Sequence, residues 1–197
     1  MGARSPESTR LAGVFLARHG ETDYNAARRF QGRLPVALNA AGRAQAAELG
    51  ERAAAVGFLE LWASPLARAL ETAEIVGARI GLEPRQDERL VETDCGDWTD
   101  LSFAQVERAD PDGFAAFLRA DPGFAFPGGE SFKAQTERVL AALEEIGRGR
   151  RPALAVTHGM SIRLAFAALG HPLARVANAA LLDCSGAASS SGRAPDF

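Results

Sequence analysis

The sequence predicts an α/β fold: a three-layer sandwich whose mostly parallel central sheet is covered by helices on both faces. Three observations lead there. A short apolar run followed by a segment of helical periodicity occurs three times along the chain. Two of those helical segments close on a glycine, Gly81 and Gly170, as helix ends commonly do. The length of 197 residues suits one sizeable core and demands no second.

In chain order, "GVFLA" (13–17) is rich in strand formers. "NAAGRAQAAELGERAAAVGF" (39–58) then carries apolar residues at helical spacing between Ala, Glu and Arg. In "LELWASPLARALETAEIVGARIG" (59–81) a strand runs to Trp62, and Ser64-Pro65 opens a helix with proline in its first turn. "RQDERLV" (85–91) reads as a further extended run. "RRPALAVTHGMSIRLAFAALG" (150–170) gives a strand over "ALAV", a turn at "THG" and a third helix, and "NAALLDC" (178–184) reads as a last strand.

Between about 98 and 131 the pattern breaks into two short helical pieces separated by Asp-Pro and Pro-Gly-Gly, which reads as an insertion or lid. Ser102 and Gln105 have the spacing of a capping box for its first helix. Its phenylalanines, 103, 114, 117, 124 and 126, with Phe132 just beyond, suggest a partly apolar lid in which packing outweighs ligand contact. One domain over 1–185 and a disordered Gly/Ser-rich tail over 186–197 complete the expected organisation.

Composition narrows the function. With 47% apolar and 24% charged residues the chain reads as soluble and globular, and a net charge of −3 argues against generic nucleic-acid binding. Any anionic ligand must be caught by local charge. The first 13 residues lack the apolar core of a secretory signal, and no stretch approaches the roughly 20 apolar residues of a membrane span. Cys95 and Cys184 show neither metal-ligand nor disulfide-framework spacing, so a cytoplasmic, reduced protein is expected. Arginine is abundant and Lys133 is the sole lysine, which reflects genome composition; position, not number, gives an arginine meaning.

Two of the three histidines share one context: an apolar run, one or two polar residues, then His-Gly, as "VFLARHG" and "ALAVTHG". Ligands of parallel sheets bind outside the carboxyl ends of strands, so His19 and His158 are placed to face one crevice. The third, His171 before Pro172, reads as a surface or capping residue. Metal binding is disfavoured, because neither histidine lies in an H-x-x-x-H or H-x-H pair. Serine or cysteine hydrolysis lacks a G-x-S-x-G elbow and a suitably placed cysteine.

A histidine nucleophile acting on phosphorus explains the arginine immediately before it, Arg18. Guanidinium forks suit the oxygens of a transferring phosphoryl group, and "SPLARALETA" offers Arg68 near a helix start. A leaving alkoxide needs a proton donor; Glu92 in "RLVETDCGDW" is the best candidate, with Asp94 and Asp97 as competitors.

At this point the chain resembles the histidine phosphatase superfamily, in its phosphoglycerate-mutase-like branch and of the short phosphatase type. "RHGETDYN" with "FQG", "SPLARALETAE" and "VTHGMSIR" follow the family's motifs in order over nearly the whole chain up to the tail. The resemblance implies that His19 is phosphorylated, that Arg18, Arg68 and His158 bind the phosphoryl group, and that Glu92 serves as general acid and then general base. It also implies substrate contacts at Thr22, Asn25, Gln31, Gly32 and Gly159, and no metal or organic cofactor. The chain departs from the family pattern at "GRLPVALN" and at "WTD", which affects substrate preference rather than the catalytic set.

The expected activity is hydrolysis of small organic phosphates. Phosphoglycerate mutase is the alternative, disfavoured because the insertion offers Arg108, Arg119 and Lys133 singly rather than as paired arginines. A noncatalytic module binding phosphorylated ligands is the reading from another class. The expected partner is a small phosphate ester, with no nucleic acid and no membrane; an edge strand leaves a homodimer open.

Overall fold

The computed structural model describes residues 11–186. Its elements are β1 (Val14–Arg18), α1 (Asp23–Ala26), α2 (Ala40–Val56), β2 (Glu60–Ala63), α3 (Ala67–Ile80), β3 (Arg85–Gln86), α4 (Phe103–Ala109), α5 (Pro111–Arg119), α6 (Phe132–Arg148), β4 (Ala153–Thr157), α7 (Gly159–Ala168) and β5 (Leu181–Asp183). Single 3₁₀ turns lie at Glu88–Leu90 and Gly96–Trp98. The sheet order is β3-β2-β4-β1-β5. All pairs are parallel except the β1–β5 edge, so the expected mostly parallel sheet is present.

The pleat sends alternate residues to opposite faces, and each face meets its own pair of helices. Val14, Leu16, Ala153 and Ala155 pack with Val139, Leu143 and Ile146 of α6 and Ile162 of α7. Ala17, Leu154 and Val156 pack with Leu49 and Ala53 of α2 and Ala69, Ala73 and Val76 of α3. The central strand β4 is buried at all five positions, which is why "ALAV" is continuously apolar.

Three local expectations are corrected. The helix α3 begins at Ala67, not at Ser64-Pro65: Leu66 is its N-cap, and the Ser64 hydroxyl instead accepts the Leu66 amide at 3.3 Å and reaches toward His158. "RQDERLV" is not extended beyond Gln86, because the Asp87 carboxylate accepts the Arg89 amide at 2.9 Å and winds 88–90 into a 3₁₀ turn. Within "NAALLDC" only Leu181–Asp183 forms a strand, and Asn178 turns away toward the sheet edge.

The insertion contains α4, opened by the expected Ser102–Gln105 capping box, and α5, which starts on Pro111. Phe30, Trp98, Phe114, Phe124, Phe126 and Phe132 form a third buried cluster with Met160 and Leu164 of α7, which ties the insertion to the sheet layer. No described helix is long and apolar enough to cross a membrane. Of the expected disordered tail, residues 187–197 lie outside the described residues.

Candidate active site

The site is set by the β1–β4 ladder. Arg18 stands opposite Thr157, and the His19 amide donates to Thr157 O at 3.0 Å. His19 and His158 therefore leave the sheet side by side, with ring centroids 5.2 Å apart. The glycine after His19 is required by a close approach to backbone, and the one after His158 sits tightly against a side chain. A Cβ on Gly20 would sit 2.3 Å from the carbonyl oxygen of Gly42 at the start of α2, and one on Gly159 3.2 Å from Arg18 Nε.

His19 is buried, and its protonation follows from its neighbours. Arg68 Nε lies 3.3 Å from His19 Nε2 and can only donate, so Nε2 carries the lone pair. The ring proton is then on Nδ1, which donates to Gly20 O at 2.6 Å. Burial foremost, then the Arg68 and Arg18 charges, hold the imidazole well below its ordinary value near 6.5, against the smaller pull of Gly20. The result is a neutral histidine with its lone pair at Nε2.

Of the two arginines, Arg68 is buried and Arg18 half-buried. Arg68 donates through Nη2 to Gly32 O at 2.8 Å and through Nη1 to Leu34 O at 3.1 Å. Arg18 donates through Nη1 to Val176 O at 2.7 Å, while its Nε is buried without a partner. Burial pushes both guanidinium groups down to about 10, opposed mainly by the Glu92 charge, so both remain cations at neutral pH. His158 is fully buried, with Nε2 2.8 Å from Ser64 Oγ and Nδ1 lacking any partner. Burial, followed by the Arg68, His19, Arg18 and Arg138 charges, keeps it well below its ordinary value too. Unpaired buried polar atoms are costly, and among the described residues Arg18 Nε and His158 Nδ1, on the residues that precede His19 and Gly159, are both left without a partner.

A cavity of about 890 Å³ opens onto this group. Arg18, His19, Arg68 and Glu92 line it, as do the expected Asn25, Gln31, Gly32 and Gly159, whereas the expected His158, buried behind His19, and the competitors Asp94 and Asp97 do not. Thr22 is not brought to the cavity wall. It is fully buried, caps α1 by accepting the Asn25 amide, and donates to Gln31 Oε1 at 3.0 Å. Of the lid phenylalanines, Phe103, Phe114, Phe117 and Phe126 share in the wall, together with Arg163 and Arg175.

Residues that the sequence did not single out complete the site. Thr72, one turn after Arg68, accepts the Gly20 amide at 3.1 Å and donates to Arg68 O at 2.7 Å. Asn178 donates to His19 O and to Asn25 Oδ1, both at 3.2 Å. Ser64 holds His158, and its place within "SPLAR" was an available signal; Asn178 carries none. His171 is half-buried rather than on the surface, its Nε2 unpaired and away from the cavity. Cys95 and Cys184 are buried free thiols, pushed upward chiefly by burial. Among the described residues, no group of three or more His, Cys, Asp or Glu is placed to hold a metal.

Comparison with known proteins identifies the family. The chain is 38% identical over 163 residues to phosphoglycerate mutase-like protein 4 of Arabidopsis thaliana, covering 80% of this chain and 70% of that protein. It is 36% identical over 152 residues to a probable phosphoglycerate mutase, GpmB, of Salmonella paratyphi B, covering 76% and 70%. A mycobacterial glucosyl-3-phosphoglycerate phosphatase solved with VO3 superposes with a TM-score of 0.77 at 36% identity, over 85% of this chain and 88% of that one. The family model of the histidine phosphatase superfamily, branch 1, matches residues 14–188, and the chain belongs to that family.

Proposed function

We propose that this protein hydrolyses small organic phosphate monoesters through a phosphohistidine formed on His19. The observation that carries the reading is the setting of His19: Nδ1 lies 2.6 Å from Gly20 O and Nε2 3.3 Å from Arg68 Nε, which leaves a neutral imidazole with its lone pair at Nε2, in a cavity whose wall also holds Arg18 and Glu92. The phosphoryl group sits among Arg18, Arg68 and His158, whose donors meet the charge that spreads over its oxygens in transfer. His19 Nε2 attacks phosphorus, the P–O ester bond breaks, and Glu92 gives its proton to the leaving oxygen. The ring becomes cationic, with its Nδ1 proton held by Gly20 O. Water then attacks phosphorus and loses a proton to Glu92, the N–P bond breaks, and phosphate leaves with His19 restored as neutral.

The names of the curated relatives favour a second reading, transfer back to another oxygen as in a mutase. One experiment separates the two. Purified protein is incubated with 3-phosphoglycerate and with p-nitrophenyl phosphate while isomer and free phosphate are followed. Phosphate release is the expected result, and isomer formation without phosphate overturns hydrolysis. Rapid quench should trap an acid-labile phosphoenzyme, whose persistent absence with turned-over esters removes the covalent step. His19→Ala should lower turnover at least about a thousand-fold.

A further inference from the structure

We propose that Gln135 of α6 is the positioning residue of the acid: it anchors Glu92 Oε1, so that the proton exchanged with substrate is carried by Oε2 alone. This rests on the proposed role of Glu92 and goes beyond it. Gln135 is fully buried, and its amide nitrogen donates to Glu92 Oε1 at 3.0 Å and to Ser161 Oγ of α7 at 2.9 Å. The amide orientation is fixed by chemistry, because the Thr93 hydroxyl donates to Gln135 Oε1 and the nitrogen must then face the carboxylate.

The two carboxylate oxygens are treated unequally. Oε1 also accepts the Thr93 amide at 3.0 Å, and the Ser161 hydroxyl stands 3.4 Å away. An O–H at Oε1 would have to displace the Gln135 and Thr93 N–H donors, and the acceptors within its reach are the Ser161 and Thr93 hydroxyl oxygens, both at 3.4 Å. Oε2 accepts only the Met160 amide, at 3.2 Å, from the start of α7. A proton on Oε2 keeps that bond through its remaining lone pair and is free to reach an ester oxygen. The leaving group is therefore directed to the side of Glu92 that faces the His158–Gly159–Met160 turn.

Gln135, Thr93 and Ser161 are buried, so on this side of Glu92 the loss of one member is not diluted by water. Gln135→Met keeps the side-chain volume and deletes both donors. The test compares kcat/KM on glycerol 3-phosphate, whose alkoxide must be protonated as it leaves, with p-nitrophenyl phosphate, whose phenolate leaves without a proton. The variant should lose about 10- to 100-fold on the alkyl ester and less than about threefold on the aryl ester. Its alkaline limb on the alkyl ester should move to higher pH, since the carboxylate has lost a donor. Equal losses on both esters with an unmoved limb would show a packing role only and overturn the proposal.

Ser161→Ala, which removes the amide's second acceptor, should give the same pattern more weakly and serves if Gln135→Met does not fold. Neutron diffraction from crystals of the unaltered protein at acidic pH gives a readout independent of turnover. A deuteron on Glu92 Oε2 is expected, and one on Oε1 refutes the assignment. Failure of the unaltered protein to turn over either ester would instead refute the proposed function, leaving the neutron result to judge the anchor.

Discussion

A histidine that attacks phosphorus must keep a lone pair, and a serine one strand away helps decide how its partner histidine is held. Ser64 Oγ is the only described partner of His158 Nε2. Ser64→Ala should therefore destabilise the fold by about 1 to 3 kcal/mol, measured by urea unfolding, because it leaves a buried ring nitrogen unpaired. Arg68→Lys should cost more in rate than in stability. An ammonium cannot meet Gly32 O, Leu34 O and His19 Nε2 together, and kcat/KM should fall about 100-fold. At this scale the sequence was legible where chemistry repeats: two His-Gly turns after apolar runs, and two arginines, Arg18 before the first of those histidines and Arg68 near a helix start. Thr72, Gln135 and Ser161 were not legible, because a polar residue within a helix looks the same whether it faces solvent or a buried carboxylate.

Among the elements, the start of α2 presses on the nucleophile loop. A Cβ on Gly42 would lie 2.0 Å from Glu21 O, so Gly42→Ala must shift either the helix or the loop that carries His19. It should cost about 1 to 3 kcal/mol and slow turnover as well, seen in paired thermal-melt and kcat measurements. The acid is held by a different element. Arg138 of α6 donates to the carbonyls of Arg89 and Val91 at 2.8 and 2.7 Å and to Glu92 O at 3.2 Å, and pairs with Glu130 at 2.7 Å. That clamp explains why "RQDERLV" misled a reading by periodicity: its backbone carbonyls are satisfied by an arginine about fifty residues away, not by a neighbouring strand. Parallel strands and their helices were legible because burial on both faces imposes continuous apolar runs. The 3₁₀ turns, ruled by single side chains, were not.

For the whole molecule, two buried histidines make stability depend on pH. Folded His19 and His158 resist protonation, chiefly through burial, while the unfolded chain takes those protons below its ordinary value near 6.5. Their lowered values mean that stability is full above about pH 6.5 and falls as pH drops from there, by up to about 1.4 kcal/mol per pH unit for each histidine. Asp87 and Glu130 are also held below their ordinary values, Asp87 by Arg89 and Glu130 by Arg138 against the cost of burial. Their contribution is lost only at more acidic pH. Urea midpoints between pH 7 and 5 should decline in the unaltered protein and less steeply in His19→Asn; a flat profile would contradict the buried neutral state.

Glu130 ends the insertion yet reaches back under the acid, pairing with Arg138 and, at 3.2 Å, with Arg33. The segment that shapes the cavity mouth is thus stitched, through Arg138, to the backbone of Glu92, the proposed proton donor. Grafting a foreign insertion to retarget the enzyme has a natural seam ahead of Glu130: a transplant ending there exchanges the aromatic wall and spares the chemistry, whereas one that includes it unpins Glu92.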